Sequence, residues 1–335
     1  MKFILSLLVL LATAGSARSA TPLVIAHRGA SGYLPEHTLA AKAMAHAMGA
    51  DFLEQDLVLT KDNVPIVLHD IHLDTVTNVA RIFPERHRPD GHYYALDFTL
   101  AEIRQLQVSE RLNLKDAQPE FPGRFPTGQS SFHISTLEEE LQLVQGLNKS
   151  TGRSVGIYPE LKKAQWHRSQ GQDLTRAVLP ILTRYGYAGK DAQCWLQSFE
   201  LSEVHLLRAE LGWTGKILLL LEGGPKDADG NDTQFACTEA GLKELSHLVD
   251  GIGPAFGSLI TGTSPSNRRV TSLATRAHAH HLAVHAYTVR ADALPKTVAS
   301  TDDLHHLVLE EAQADGVFSD FPDLSVRWIH RAKGH

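Results

Sequence analysis

Short apolar runs alternate along this chain with longer stretches of helical periodicity. The runs are LVIA (23–26), DFLEQDLVLT (51–60), VGIYPEL (155–161), QCWLQSF (193–199), KILLLL (216–221), DGIG (250–253), LAVHAYT (282–288) and DGVFSD (315–320). Between them, helical spacing of apolar positions covers Thr38 to Met48, Thr136 to Leu147, Leu174 to Tyr185, Leu201 to Leu211, Thr238 to His247 and Val270 to His281. Apolar strands separated by amphipathic helices are the pattern of parallel strands joined by crossover helices. Eight of them predict an α/β fold, a closed (β/α)8 TIM barrel, whose reacting groups are displayed at the carboxyl ends of the strands. Residues 75 to about 134 break the rhythm, being rich in Arg, Pro, Tyr and Gly without a convincing buried strand. They read as an insertion between the second and third barrel strands. Without them and a 19-residue leader, about 256 of the 335 residues remain, close to the roughly 250 of a single barrel.

The first twenty residues are MKFILSLLVLLATAGSARSA. Lys2, an apolar run from Phe3 to about Ala14 and then small residues have the layout of a secretory signal peptide over residues 1–19, with cleavage after Ala17 or Ser19. Residues 20–335 then form one exported domain. No cysteine lies near residue 20 to carry a lipid anchor, and no apolar run is long enough for stable membrane insertion. A formal net charge of −6, more negative once Lys2 and Arg18 leave with the leader, argues against affinity for nucleic acid or anionic membranes. Cys194 and Cys237 are the two cysteines. An oxidising compartment permits a bridge between them, but a core of this size does not need one.

Chemistry concentrates near the strand ends. Glu54 and Asp56 stand two apart, so on a strand they share a face with Phe52 and Val58. Two acids on an inward row repel unless a cation lies between them, and a hard divalent ion prefers carboxylate oxygens. Glu160, at the end of YPELK, is a natural third ligand. The competing reading places these acids on a solvated edge, paired with lysines. His27 and His69 end the apolar runs LVIA and VPIVL, which would put both at barrel strand tips. Two imidazoles beside a carboxylate triad suit a general acid and a general base. Arg28 and Lys162 would neutralise an anionic substrate, the arginine fork matching a phosphoryl group. The set suggests metal-assisted phosphoester cleavage. Weaker signals are set aside: GRFPTGQS (123–130) has Gln129 where a phosphate loop needs lysine, DADGND (227–232) lacks calcium-loop spacing, and the histidines of 276–285 need not converge.

The stretches HRGASGYLPEHT, EQDLVLTKDNVPIVLHD, YPELK and VHAYTVR together resemble the glycerophosphodiester phosphodiesterases, particularly their periplasmic bacterial branch, over about residues 23 to 327. The resemblance implies that His27 and His69 are the catalytic acid/base pair, and that Glu54, Asp56 and Glu160 bind one divalent cation, Ca²⁺ ahead of Mg²⁺. It also implies that Arg28 contacts phosphate with Lys162 as a cationic partner, and that residues 75–134 lie over the barrel mouth. Gln197 and Tyr287, at the ends of their strands, are candidates for lining the glycerol or phosphate pocket, with ordinary barrel packing as the competing reading. Pro35-Glu36-His37-Thr38 replaces the Pro-Glu-Asn-Thr of many members, and Ala286 stands where close relatives often have proline. The implied substrates are small glycerophosphodiesters such as glycerophosphocholine, cleaved to sn-glycerol 3-phosphate and an alcohol. Two other functions compete: a phospholipase-D-like lipid phosphodiesterase on the same barrel, and an exported binding protein with little turnover. A homodimer is compatible with the sequence, although no segment specifies one.

Overall fold

Alternation of side chains along the strands sets the architecture. The computed structural model describes residues 21–128, 130–223 and 233–334, so the expected leader and the polar loop at 227–232 lie outside the described residues. Nine strands matter: β1 (Leu23–Ala26), β2 (Phe52–Leu59), β3 (Pro65–Val67), β4 (Gly156–Leu161), β5 (Trp195–Ser198), β6 (Lys216–Leu221), β7 (Gly251–Pro254), β8 (Ala283–Val289) and β9 (Gly316–Ser319). Eight are parallel and run β1-β9-β8-β7-β6-β5-β4-β2 around a barrel. It closes where Ile25 and Ala26 of β1 pair with Phe52 and Leu53 of β2. These eight are the runs that the apolar pattern marks, each bound within two residues.

β3 was not among them. It pairs antiparallel with β2, Pro65 opposite Leu59 and Val67 opposite Leu57, through a tight turn in which Asn63 adopts φ 60°, a conformation that asparagine tolerates. The run VPIVL before His69 is therefore the return arm of a hairpin on β2, and His69 does not end a barrel strand as expected. Helical structure also differs locally. The stretch Leu201–Leu211 is α-helical only over Leu201–His205 and then widens to a π-turn, and unforeseen helical stretches include those that begin at Ala164, Phe256, Thr301 and Pro322.

Inward residues Ile25, Phe52, Tyr158, Trp195, Leu218, Leu220 and Phe318 fill the barrel. Tyr158 stacks on Trp195 with ring centres 6.1 Å apart and shares a 2.7 Å hydrogen bond with Nδ1 of His285. A Cβ on Gly156 would lie 2.3 Å from the Phe52 ring, so the floor of the barrel requires glycine there. The outward row, including Leu53, Leu57, Ile157, Leu196 and Ile217, packs under the helices. Among these, α1 (Leu39–Ala47) is capped by the Thr38 hydroxyl, and α2 (Leu137–Thr151) starts with a Thr136/Glu139 capping box. Between β3 and α2 the chain builds a second core of Leu73, Val76, Val79, Phe98, Ile103, Leu106 and Val108, seated on Val58 and Ile66. Cys194 and Cys237 are both free thiols. No described helix is long and apolar enough to cross a membrane.

One ion pair is wholly enclosed in this frame. Lys42 of α1 donates to Glu140 of α2 at 2.9 Å and to the carbonyl of Glu54 on β2, and both side chains are 0% exposed. Replacing Glu140 with Leu leaves a buried ammonium without its counter-charge, and is expected to cost about 3–5 kcal/mol in urea unfolding. Lys42→Met with Glu140→Leu should recover at least half of that. Equal losses in the single and double variants would show that the pair carries no charge-burial cost.

Candidate active site

The turn after β1 aims two functional side chains at once. His27 continues the inward row of Ile25, and the chain then bends through Arg28 (φ 59°) and Gly29 (φ 86°). A Cβ on Gly29 would lie 2.8 Å from the Ala41 backbone, so the bend is pressed against α1. Arg28, a non-glycine in the left-handed region, is the kind of strained position that functional sites retain. The bend delivers the Arg28 amide to Oε2 of Glu54 at 2.8 Å.

Register brings the acids together. Asp56 of β2 pairs with Glu160 of β4, Glu160 with Gln197 of β5, and Glu54 lies one inward step below Asp56. Ligand oxygens of Glu54, Asp56 and Glu160 all fall within 4.8 Å of one another, and all three residues are buried. Each acid is held. Glu54 accepts from Nε2 of Gln197 at 3.0 Å, Asp56 from Nε2 of His37 at 2.7 Å, and Glu160 pairs with the Lys162 ammonium at 2.8 Å. Burial and then the charges of Asp56 and Glu160 push the Glu54 carboxyl well up. Burial pushes Glu160 up to about 7 against the pull of the Lys162 ammonium, with the Asp56 charge adding to the rise. Burial also works against the Asp56 carboxylate, but Lys162 and His37 overcome it and hold this acid well below its usual range. Oδ1 of Asp56 remains buried without a hydrogen-bond partner. Three repelling carboxylates and an unsatisfied oxygen fit a hard divalent cation.

Both histidines face this hollow, and each is held at Nδ1 by an aspartate. His27 Nδ1 lies 2.6 Å from Asp320 Oδ1, with its Nε2 3.8 Å from Glu54. His69 Nδ1 lies 2.6 Å from Asp70 Oδ1. Although it sits on a hairpin, His69 is registered to the site by the Leu68 amide, which donates to the Asp56 carbonyl at 2.8 Å. Burial, followed by Arg28, lowers His27 to about 4. Burial, Arg28 and Lys162 lower His69 to about 3. Both rings are therefore neutral near pH 7, with one nitrogen bound to its aspartate and Nε2 left for chemistry.

The remaining expected site residues take defined places. Arg28 Nη1 donates to Glu36 at 3.0 Å, while its Nε is buried without a hydrogen-bond partner, 3.6 Å from Oδ2 of Asp56. Lys162 Nζ lies 5.7 Å from the Phe199 ring centre. Gln197 is 1% exposed, its amide spent on Glu54. The Tyr287 hydroxyl donates to the Leu221 carbonyl at 3.0 Å. The histidines of 276–285 do not converge: His278 pairs with Asp315, His280 with Glu239, and His285 lies inside the barrel.

Sequence reasoning missed Glu36, His37, Asp70, Asp320, Arg111 and Arg124. Asp70 and Asp320 had a signal, since one follows His69 directly and the other ends the last apolar run. Glu36 and His37 lie in the quoted PEHT. The arginines lie in the 75–134 stretch and carry no local mark.

The glycerophosphoryl diester phosphodiesterase family model matches residues 27–324. A glycerophosphodiester phosphodiesterase of Haemophilus influenzae is 40% identical over 329 residues, covering 93% of this chain and 90% of the relative. A crystal structure of a candidate glycerophosphoryl diester phosphodiesterase from Silicibacter pomeroyi superposes with a TM-score of 0.69 at 25% identity, covering 93% of this chain and 94% of that one. An Oleispira antarctica phosphodiesterase in complex with the product sn-glycerol-3-phosphate has the same fold, with a TM-score of 0.62 at 22% identity over 92% of this chain and 97% of its own. By its barrel and by this match along almost all its length, the chain belongs to the glycerophosphoryl diester phosphodiesterase family.

Proposed function

We propose that this enzyme hydrolyses water-soluble glycerophosphodiesters, such as glycerophosphocholine and glycerophosphoethanolamine, to sn-glycerol 3-phosphate and the free alcohol, with one divalent cation at Glu54, Asp56 and Glu160. The observation that carries the reading is three carboxylates within 4.8 Å of one another, flanked by two imidazoles that aspartates hold at 2.6 Å. Oxygen-only donors favour Ca²⁺ or Mg²⁺, and Ca²⁺, which accepts an irregular carboxylate arrangement where Mg²⁺ demands a near-ideal octahedron, is placed ahead of Mg²⁺. Bound there, the cation supplies fixed positive charge that draws electron density from the phosphodiester. Arg28 and Lys162 bind phosphoryl oxygens, the arginine Nε being free to donate. One histidine, neutral, takes the proton of the glycerol hydroxyl at its Nε2 as that oxygen bonds to phosphorus and closes a cyclic phosphate; the other, which takes up a proton at Nε2 once the phosphodiester anion is bound beside it, gives that proton to the departing alcohol oxygen as its bond to phosphorus breaks. Water then opens the cyclic phosphate with the two roles exchanged.

Small diesters are favoured over intact lipids because the aromatic residues of the segment between β3 and α2 are buried or half-buried, none of them exposed. Tyr93 and Phe98 are buried in the second core, and Tyr94 stacks on Trp166 with ring centres 5.5 Å apart. A lipid surface needs an apolar rim instead. The leader-like sequence at residues 1–19 supports export to the periplasm.

Chelation with EDTA should abolish release of glycerol 3-phosphate from glycerophosphocholine, and added Ca²⁺ should restore it more fully than Mg²⁺. Full turnover after exhaustive chelation would remove the cation from the reaction. His27→Ala and His69→Ala should each lower kcat by about 10²-fold or more while leaving the circular dichroism spectrum unchanged. A change under threefold would take that residue out of the proton-transfer pair.

A further inference from the structure

Every acid and imidazole at the reacting centre comes from the barrel strands or the β3 hairpin, yet two arginines from the segment between β3 and α2 reach in behind them. Arg124 is almost enclosed, its side chain 4% exposed. It forks onto Asp292 at 2.7 and 3.0 Å, donates to Oδ2 of Asp320 at 2.7 Å and to the Ser31 carbonyl at 3.3 Å, and lies 3.7 Å from the Phe121 ring centre. Arg111 forks onto Glu36 at 3.0 and 2.6 Å and donates to Oδ2 of Asp70 at 2.7 Å.

The two arrangements share one pattern. In each, Oδ1 of an aspartate holds a histidine Nδ1 at 2.6 Å, while Oδ2 of the same carboxylate accepts from a segment arginine at 2.7 Å. A second donor completes each Oδ2: Arg290 at 3.1 Å for Asp320, and the Thr75 hydroxyl at 2.7 Å for Asp70. A carboxylate bound at one oxygen alone can swing about its terminal torsion and carry the imidazole with it. Clamped at both, it fixes the ring plane and the tautomer, so that Nε2 keeps one direction.

We propose that the segment between β3 and α2 is part of the proton-transfer machinery, with Arg124 and Arg111 as positioning residues for His27 and His69, acting through Asp320 and Asp70. This rests on the reading of the two histidines as the acid/base pair. The stretch 123–130, set aside as a phosphate loop, then has a role through Arg124. The two arginines are 13 positions apart in one segment, so a shift of that segment would disturb both imidazoles together. Arg111 carries a second duty, because Glu36 also holds Arg28.

The test uses the mature full-length enzyme, glycerophosphocholine kinetics, and proton NMR of the hydrogen-bonded imidazole Nδ1–H signals, which His27→Asn and His69→Asn assign by their loss. Arg124→Met is expected to lower kcat about 10- to 100-fold with KM within threefold, and to shift or remove the His27 Nδ1–H signal while that of His69 stays. Arg111→Met should move the His69 signal and lower kcat similarly, with KM also raised. Arg124→Lys and Arg111→Lys should recover part of the rate, and they supply the signal comparison if a methionine variant fails to fold. Arg104→Met, in the same segment, removes an exposed pair with Glu139 of α2 and should stay within twofold of wild type. Unmoved Nδ1–H signals in the arginine variants, whatever their rate, would overturn the proposal, as would kcat within threefold of wild type. Wild-type turnover in His27→Asn and His69→Asn would instead defeat the acid/base reading, and the positioning role with it.

Discussion

Three carboxylates that cannot relax away from one another are the constraint around which this protein is built. Glu54, Asp56 and Glu160 are buried with ligand oxygens within 4.8 Å, a separation at which each charged pair repels by on the order of 4 kcal/mol at an effective dielectric of 20. Nothing in a packing argument calls for that cost. The surroundings restrain it without removing it: Gln197 and the Arg28 amide hold Glu54, His37 holds Asp56, and Lys162 holds Glu160. The donors fix where each carboxylate points, and they leave an oxygen of Asp56 unsatisfied. A local arrangement that violates the rules of a stable core, and is supported from every side, is what function imposes on a fold.

β2 transmits that constraint to the rest of the molecule. Its inward row runs Phe52, Glu54, Asp56, Val58, and each step meets a different environment. Phe52 lies in the barrel core, the two acids form the hollow, and Val58 seats the second core. From outside the barrel, Lys42 grips the Glu54 carbonyl between α1 and α2. A slip of one residue along β2 would exchange its two faces. It would bury Gln55 where Asp56 belongs and break the seat of the second core together with the acid cluster.

The barrel and the acid cluster were legible in the sequence because both depend on local periodicity. Eight apolar runs carry the strands, and a spacing of two puts Glu54 and Asp56 on one face whatever lies around them. The VPIVL run misled because an apolar strand looks the same whether it continues a barrel or folds back as a hairpin. The turn residues Asp62 and Asn63 were the signal that separates the two. The helices from Thr301 and Pro322 had local signals that went unused, an acidic first turn behind the Ser300 cap in one and a proline at the first position in the other. Contacts such as Arg124 to Asp320, 196 positions apart, leave no local trace. A charged residue in a loop looks solvated until the closed barrel shows what it faces.

The two histidines reach the hollow on unlike supports, and each is registered to a different acid. His27 rides on β1, and the residue after it gives its amide to Glu54. His69 rides on the β3 hairpin, and the residue before it gives its amide to the carbonyl of Asp56. One hydrogen bond of 2.8 Å from a backbone amide in each case therefore ties an imidazole mount to a triad residue, to the carboxylate of Glu54 in one and to the main-chain carbonyl of Asp56 in the other. Because Glu54 and Asp56 are separated by one inward step of a single strand, the spacing of the two mounts follows from the rise of β2. Loops alone would let that spacing drift. A buried strand holds it, which is why a pair of imidazoles from unlike supports can face one hollow in fixed relation to its acids.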